Sequence, residues 1–164
     1  MFKNLNKTYT SLLECRANRM KPLIQEAVTS LWKHTNTLRN VVITDLGCSA
    51  GPNALTLVKT AVDAIFHHCS DHKKIVPEIS VLLNDLPDND FNDIAKRLHA
   101  FQESTQDFGP VVTAIVPGSF YKKLFTSNSV NLVLSSHSLN WLFQVIYIVP
   151  DLQYSLEIYI GIMK

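Results

Sequence analysis

The chain has 164 residues, 46% of them apolar, with only 5 Gly and 7 Pro, which suits one domain with a real core and excludes disordered or low-complexity readings. Lys and Arg number 15 against 14 Asp and Glu, so there is no basic field to hold a phosphate backbone, and nucleic acid is excluded as a partner. Three cysteines, Cys15, Cys48 and Cys69, lack CxxC spacing, which argues against a disulfide framework or a four-thiolate zinc site and for a reducing, cytoplasmic setting.

Along the chain, the N-terminal MFKNLNKTYTSLLECRANRMK has neither the apolar run of a secretory signal nor the composition of a transit peptide. Pro22, Leu23, Ala27, Val28, Leu31 and Trp32 then recur at three- and four-residue steps, predicting an amphipathic helix. The period changes at Val41 to Leu46, a β-branched run ending in Gly47 as a buried strand should. A helix is expected over Ala54 to His68, a strand over Ile79 to Leu83, a helix over Asp90 to Phe101, and strands over Val111 to Val116 and Val130 to Leu134. This alternation predicts an α/β fold with mostly parallel strands and helices on both faces. The most apolar stretch, Leu142 to Met163, is broken by Gln144, Pro150, Asp151, Gln153 and Glu157, so no membrane span is expected. Within it, Leu156, Ile158, Ile160 and Ile162 alternate with Ser155, Glu157, Tyr159 and Gly161, the pattern of a one-sided edge strand.

Ligands of open α/β sheets bind beyond the carboxyl ends of the strands, so the residues just after each strand carry the chemistry. After the first strand stands Asp45-Leu46-Gly47-Cys48-Ser49-Ala50-Gly51-Pro52-Asn53, whose glycines let a ligand approach the backbone and which leads into a helix N-terminus; a plain strand-to-helix turn is the blander alternative. Asp85 ends the second strand, where a carboxylate can accept from ribose hydroxyls, whereas Asp88 and Asp90 suit the cap and first turn of the next helix. Ser119, Phe120 and Tyr121 follow the third strand and could flank a heterocycle or simply form a turn with one packed aromatic. Ser135-Ser136-His137-Ser138-Leu139-Asn140-Trp141 follows the fourth, dense in hydrogen-bonding side chains but without the GxSxG of a serine hydrolase. His67, His68, Cys69 and His72 contain four metal-capable groups, and a helix C-terminus favoured by the dipole accounts for them better than zinc does.

Taken in order and at these distances, DLGCSAGPN, LNDLPDNDFN, VPGSFYKKLF and SSHSLNWLFQV resemble the successive motifs of the SABATH carboxyl methyltransferases of plants, which methylate salicylic, benzoic and jasmonic acids and xanthine-type purines. KPLIQEAV is similar to the family's first helix. The resemblance implies a Rossmann-like class I methyltransferase sheet with S-adenosyl-L-methionine as cofactor. It implies that Cys48 and Asn53, within the loop that also holds Asp45 and Gly47, line the methionine end; that Asp85 binds the ribose; and that Leu86, Ser119 and Phe120 enclose the adenine. Trp141 falls where the family's Trp donates its indole N–H to the substrate carboxylate, and His137 and Asn140 fall at pocket positions that vary with substrate. A small carboxylic acid or purine is the implied partner, with a homodimer or heterodimer as the implied assembly.

The family likeness spans 21–145. Upstream, the family's SYAxNSxxQ block is not recognisable, and Leu12 falls where a substrate-binding Gln is usual; residues 146–164 form a divergent tail. The expectation is a single partial cofactor-binding domain over 1–164, truncated relative to relatives, without their cap and metal-binding residues. Methyl transfer to a carboxylate or ring nitrogen, impaired by truncation, is the leading reading; a non-catalytic pseudoenzyme or association partner of a full-length relative is the alternative. An NAD-dependent enzyme ranks last, because Asp85 lies about twice too far from Gly47 and GxGxxG is missing. No catalytic acid or base is expected, since a carboxylic acid of pKa about 4 is already ionised at neutral pH.

Overall fold

The β-branched runs that open at Val41 and Ile79 carry too little polar alternation for either sheet face to stand in water, so the strands they form need cover. The computed structural model describes residues 20–33, 38–50, 54–105, 109–136, 153–155 and 158–162, the last two segments as backbone. Residues 20–31 are helical (α1), followed by β1 (Asn40–Leu46), α2 (Thr56–Asp71), β2 (Glu78–Asp85), α3 (Phe91–Thr105), β3 (Val111–Pro117), β4 (Leu132–Ser136), β5 (Gln153–Ser155) and β6 (Ile158–Ile162).

The strands form one sheet in the order β3-β2-β1-β4-β6-β5. β1 pairs in parallel with β2 from Asn40↔Glu78 to Leu46↔Asn84, β2 with β3 from Ile79↔Val111 to Asp85↔Pro117, and β1 with β4 from Ile43↔Leu132 to Asp45↔Leu134. The sheet therefore grows outward from β1 in both directions, and the point of reversal between β1 and β4 is where an open sheet leaves a crevice at its carboxyl edge. One face carries the main core: Val41, Ile43, Ile79, Val81, Leu83, Leu132 and Leu134 pack with Ile24 and Val28 of α1, Val58, Val62 and Ile65 of α2, and Ile94 and Leu98 of α3. On the opposite face Val130 and Val133 pack with Val42, Leu46 and Phe125 in a smaller cluster.

Element ends shift from the sequence reading for local reasons. α2 runs three residues past His68, to Asp71, because Lys73 adopts φ 51° and lets the Lys74 amide close back on the Cys69 carbonyl at 2.8 Å. α3 starts at Phe91 because Asp90 is its cap, with Oδ1 accepting from the amides of Asn92 (3.2 Å) and Asp93 (3.4 Å). β4 begins at Leu132 rather than Val130, since the Val42 amide is taken by the Asn131 side chain (Oδ1, 2.8 Å) before the main-chain ladder starts. The alternating segment near the C-terminus forms β6, antiparallel to β4 from Leu132↔Ile162 to Ser136↔Ile158. It is not the outermost strand as expected: β5 pairs with it antiparallel and takes the edge.

Candidate functional site

Of the four parallel strands, β1, β2 and β3 have exits that are tied to one another, at the carboxyl edge of the sheet, through the residues at the end of β2. Gly47, at φ 70°, turns the chain off β1 so that its own amide and that of Cys48 both donate to the Asn84 carbonyl, at 2.8 and 2.9 Å. Ser49, also left-handed at φ 61°, aims its amide at Asp85 Oδ2, 2.6 Å away. The other carboxylate oxygen, Oδ1, accepts from the Leu86 amide at 2.8 Å. On the far side, the Asn84 side-chain amide donates to the carbonyls of Val116 and Gly118, both at 2.8 Å, and the Gly118 amide donates to the Asp85 carbonyl at 2.8 Å.

Around this junction the electrostatics are set by burial. Asp45 is buried and its carboxyl is raised from 3.8 to about 8, first by desolvation and then by the charge of Asp85. Its Oδ1 has no hydrogen-bond partner among the described residues. The Cys48 thiol is pushed up to about 12 by burial and by the neighbouring Asp45 and Asp85, so at neutral pH it is a small apolar wall and not a nucleophile. Leu86 stands 51% exposed where the chain leaves β2. The Ser119 hydroxyl accepts from the Tyr121 amide at 3.3 Å, and the rings of Phe120 and Tyr121 lie 5.0 Å apart at the exit of β3.

The structure thus brings Asp45, Gly47, Cys48, Asp85, Leu86, Ser119 and Phe120 to one edge of the sheet, on three adjoining strand exits. Asn53, His137, Asn140 and Trp141 lie outside the described residues. Asp88 is exposed, two residues ahead of the cap that Asp90 supplies. In the histidine cluster, the His68 ring packs on Trp32 (4.6 Å) and on His72 (4.3 Å), and His72 Nδ1 lies 2.9 Å from the His68 carbonyl. Burial lowers the His68 pKa, with His72 and Lys74 adding to the effect. Among the described residues no group of three or more His, Cys, Asp or Glu is placed to hold a metal ion.

Two polar residues that matter to the edge escaped the reading of the sequence. Asn84 was legible only as a polar residue closing an apolar strand, and Ser135 only as the first of a serine pair. The latter donates to the Leu46 carbonyl at 2.9 Å and ties the exit of β4 to that of β1.

A mostly parallel sheet with glycine and acidic residues at its strand exits beside a switch point defines a Rossmann-like α/β fold. The family model for "SAM dependent carboxyl methyltransferase" matches residues 8–154, and the chain belongs to that family, whose cofactor is S-adenosylmethionine. It is 40% identical over 134 residues to the jasmonate O-methyltransferase of Arabidopsis thaliana, an alignment covering 75% of this chain and 34% of that one. It is 40% identical over 130 residues to a benzoic acid/salicylic acid carboxyl methyltransferase of Petunia hybrida (76% and 36% covered), and 38% identical over 125 residues to a probable 7-methylxanthine methyltransferase of Theobroma cacao (74% and 34%). A solved loganic acid methyltransferase with SAH superposes with a TM-score of 0.65 at 29% identity, covering 83% of this chain and 38% of that chain. The chain therefore spans between 34% and 38% of the length of these relatives. Among the described residues no helix is long and apolar enough to cross a membrane.

Proposed function

We infer that this chain binds S-adenosylmethionine at the carboxyl edge of β1, β2 and β3 and serves methyl transfer to the carboxylate, or a ring nitrogen, of a small plant metabolite. The observation that carries the reading is the position of Asp85. Its carboxylate is fixed at a strand exit by the Ser49 and Leu86 amides, which use two of about four acceptor positions and leave the others for a pair of vicinal hydroxyls. The remaining residues fit the same ligand. Exposed Leu86, with Ser119 and Phe120, offers an apolar and aromatic surface to a flat base. Cys48 and Asn53 suit the amino-acid end, beside a buried Asp45 whose Oδ1 has no partner among the described residues and would welcome a cationic group.

When bound, the cofactor supplies an electrophilic methyl group on its sulfonium sulfur. That methyl would pass to an ionised carboxylate oxygen of the acceptor in exchange for its bond to sulfur, and Asp85, Leu86, Ser119 and Phe120 would hold the S-adenosylhomocysteine left behind. For a carboxylate acceptor the chain's residues contribute binding, alignment and exclusion of water, with no proton to move, whereas a ring N–H would have to give up its proton to solvent as its nitrogen takes the methyl group. His137, Asn140 and Trp141 are assigned to the acceptor, Trp141 through its indole N–H to the carboxylate. Assembly as a homodimer or heterodimer, a place in plant secondary metabolism and a cytoplasmic location complete the reading; the free thiols of Cys48 and Cys69 suit a reducing compartment.

Isothermal titration with S-adenosylhomocysteine, followed by transfer of a labelled methyl group to a panel of aromatic acids, jasmonate and xanthines, tests it. Stoichiometric binding with a methylated product supports the proposal. Binding without product favours a non-catalytic partner of a longer methyltransferase, and absence of binding removes the reading.

A further inference from the structure

Each side-chain donor and the main-chain acceptor of Asn84 is committed to a different strand exit. The residue is fully buried at the penultimate position of β2. Its carbonyl holds the Gly47 and Cys48 amides after β1, and its side-chain NH2 spends both hydrogens on the Val116 and Gly118 carbonyls at the end of β3. Two carbonyl acceptors fix the orientation of the amide, since only the NH2 end can face them. Asn suits this place because one NH2 group supplies both hydrogens, where an ionised Asp offers acceptors only and Ser a single hydrogen; its own Oδ1 is buried without a partner among the described residues.

Resting on the cofactor-binding reading above, we propose that Asn84 is a positioning residue for the cofactor, joining the exit of β1 to the exit of β3 so that the two ends of one ligand are gripped by loops in fixed register. The consequence is specific. The Gly47–Ser49 turn serves the amino-acid end and Gly118–Phe120 serves the base, so a ligand that spans both gains from the join, whereas neither loop touches the other directly through the bonds described. Loosening Asn84 leaves Asp85 in place on β2, paired with Pro117 at the end of β3, but lets the loop beyond Pro117 drift from it, because among the described residues the Gly118 amide is then that loop's one bond to Asp85.

The Asn84→Asp variant keeps the shape and turns the two donors into acceptors facing two carbonyls. Its control is Thr44→Val, which removes another buried hydrogen bond of the sheet, from the Thr44 hydroxyl to the Leu82 carbonyl at 3.0 Å, without touching any exit loop. In titration with S-adenosylhomocysteine, Asn84→Asp is expected to weaken affinity at least tenfold, and Thr44→Val less than twofold, when both are measured below their melting transitions. Equal losses in the two variants would reduce Asn84 to a contributor to stability and overturn the proposal; so would unchanged affinity in Asn84→Asp. Wild-type protein that does not bind S-adenosylhomocysteine overturns the functional reading instead. Should Asn84→Asp not fold, amide exchange on the wild type decides: the ligand should slow Gly47–Ser49 and Gly118–Phe120 together, and protection confined to one of the two loops rejects the coupling.

Discussion

Of the three aspartates in Asp85-Leu86-Pro87-Asp88-Asn89-Asp90, only Asp85 is pinned by backbone amides from two loops. Asp85→Ala is therefore expected to weaken S-adenosylhomocysteine binding by roughly 2 to 3 kcal/mol, the scale of charge-assisted hydrogen bonds, while Asp88→Ala leaves affinity unchanged. Titration calorimetry on both variants checks this, and equal losses would take Asp85 out of the site. Asp45 makes a second prediction. Its folded-state pKa of about 8 stands above the ordinary 3.8, so between those values the folded chain holds a proton that the unfolded chain has released. Its contribution to stability is complete below about pH 4 and is lost as the pH rises towards 8, on the order of 1 kcal/mol per pH unit at its steepest. Asn at this position carries no titrating proton. Asp45→Asn should thus be more stable than the wild type at pH 8 and close to it near pH 4, with a flatter curve between. Parallel melting curves against pH in the two proteins would refute the account.

At the scale of elements, the strand runs were legible because a β-branched, unalternating stretch closed by a turn residue has few other places to go, and α1 because its apolar spacing is helical. Ends were less legible, since each depends on one hydrogen bond made by a side chain or by a left-handed residue. Asp90 illustrates this: the sequence reading puts the cap at Asp88 and the first turn at Asp90, and the geometry moves the cap to Asp90, whose Oδ1 reaches two amides of the first turn of α3. Asp90→Ala should cost about 1 kcal/mol of stability without altering cofactor affinity. Thermal denaturation alongside titration tests both halves, and a loss of affinity would assign Asp90 a second role. The site followed a similar rule. The place of Asp45, Gly47, Cys48 and Asp85 at strand exits was legible because each closes or follows an apolar, β-branched run, whereas the roles of Asn84 and Ser135 were not, because their partners are main-chain carbonyls that leave no mark in a sequence.

At the scale of the whole molecule, the hairpin of β5 and β6 continues the sheet beyond β4. Four parallel strands rich in Val, Ile and Leu would otherwise end at β4, whose free backbone groups invite pairing with another chain. The antiparallel ladder from Leu132↔Ile162 to Ser136↔Ile158 covers that edge and leaves only the three residues of β5 outermost, a short edge of the kind that resists further pairing. The hairpin joins the sheet on the side away from β2 and β3, whose exits carry Asp85, Leu86, Ser119 and Phe120. Removing residues 153–164 should therefore bare the edge of β4 and drive self-association, while affinity for S-adenosylhomocysteine in the remaining monomer changes by less than threefold. Size-exclusion chromatography with light scattering, followed by titration of the monomer fraction, reads both. A shortened chain that remains monomeric at the concentrations where the full chain does would show that β6 is not needed to cover β4, and a collapse of affinity in the monomer would place the hairpin within the cofactor site instead of beside it.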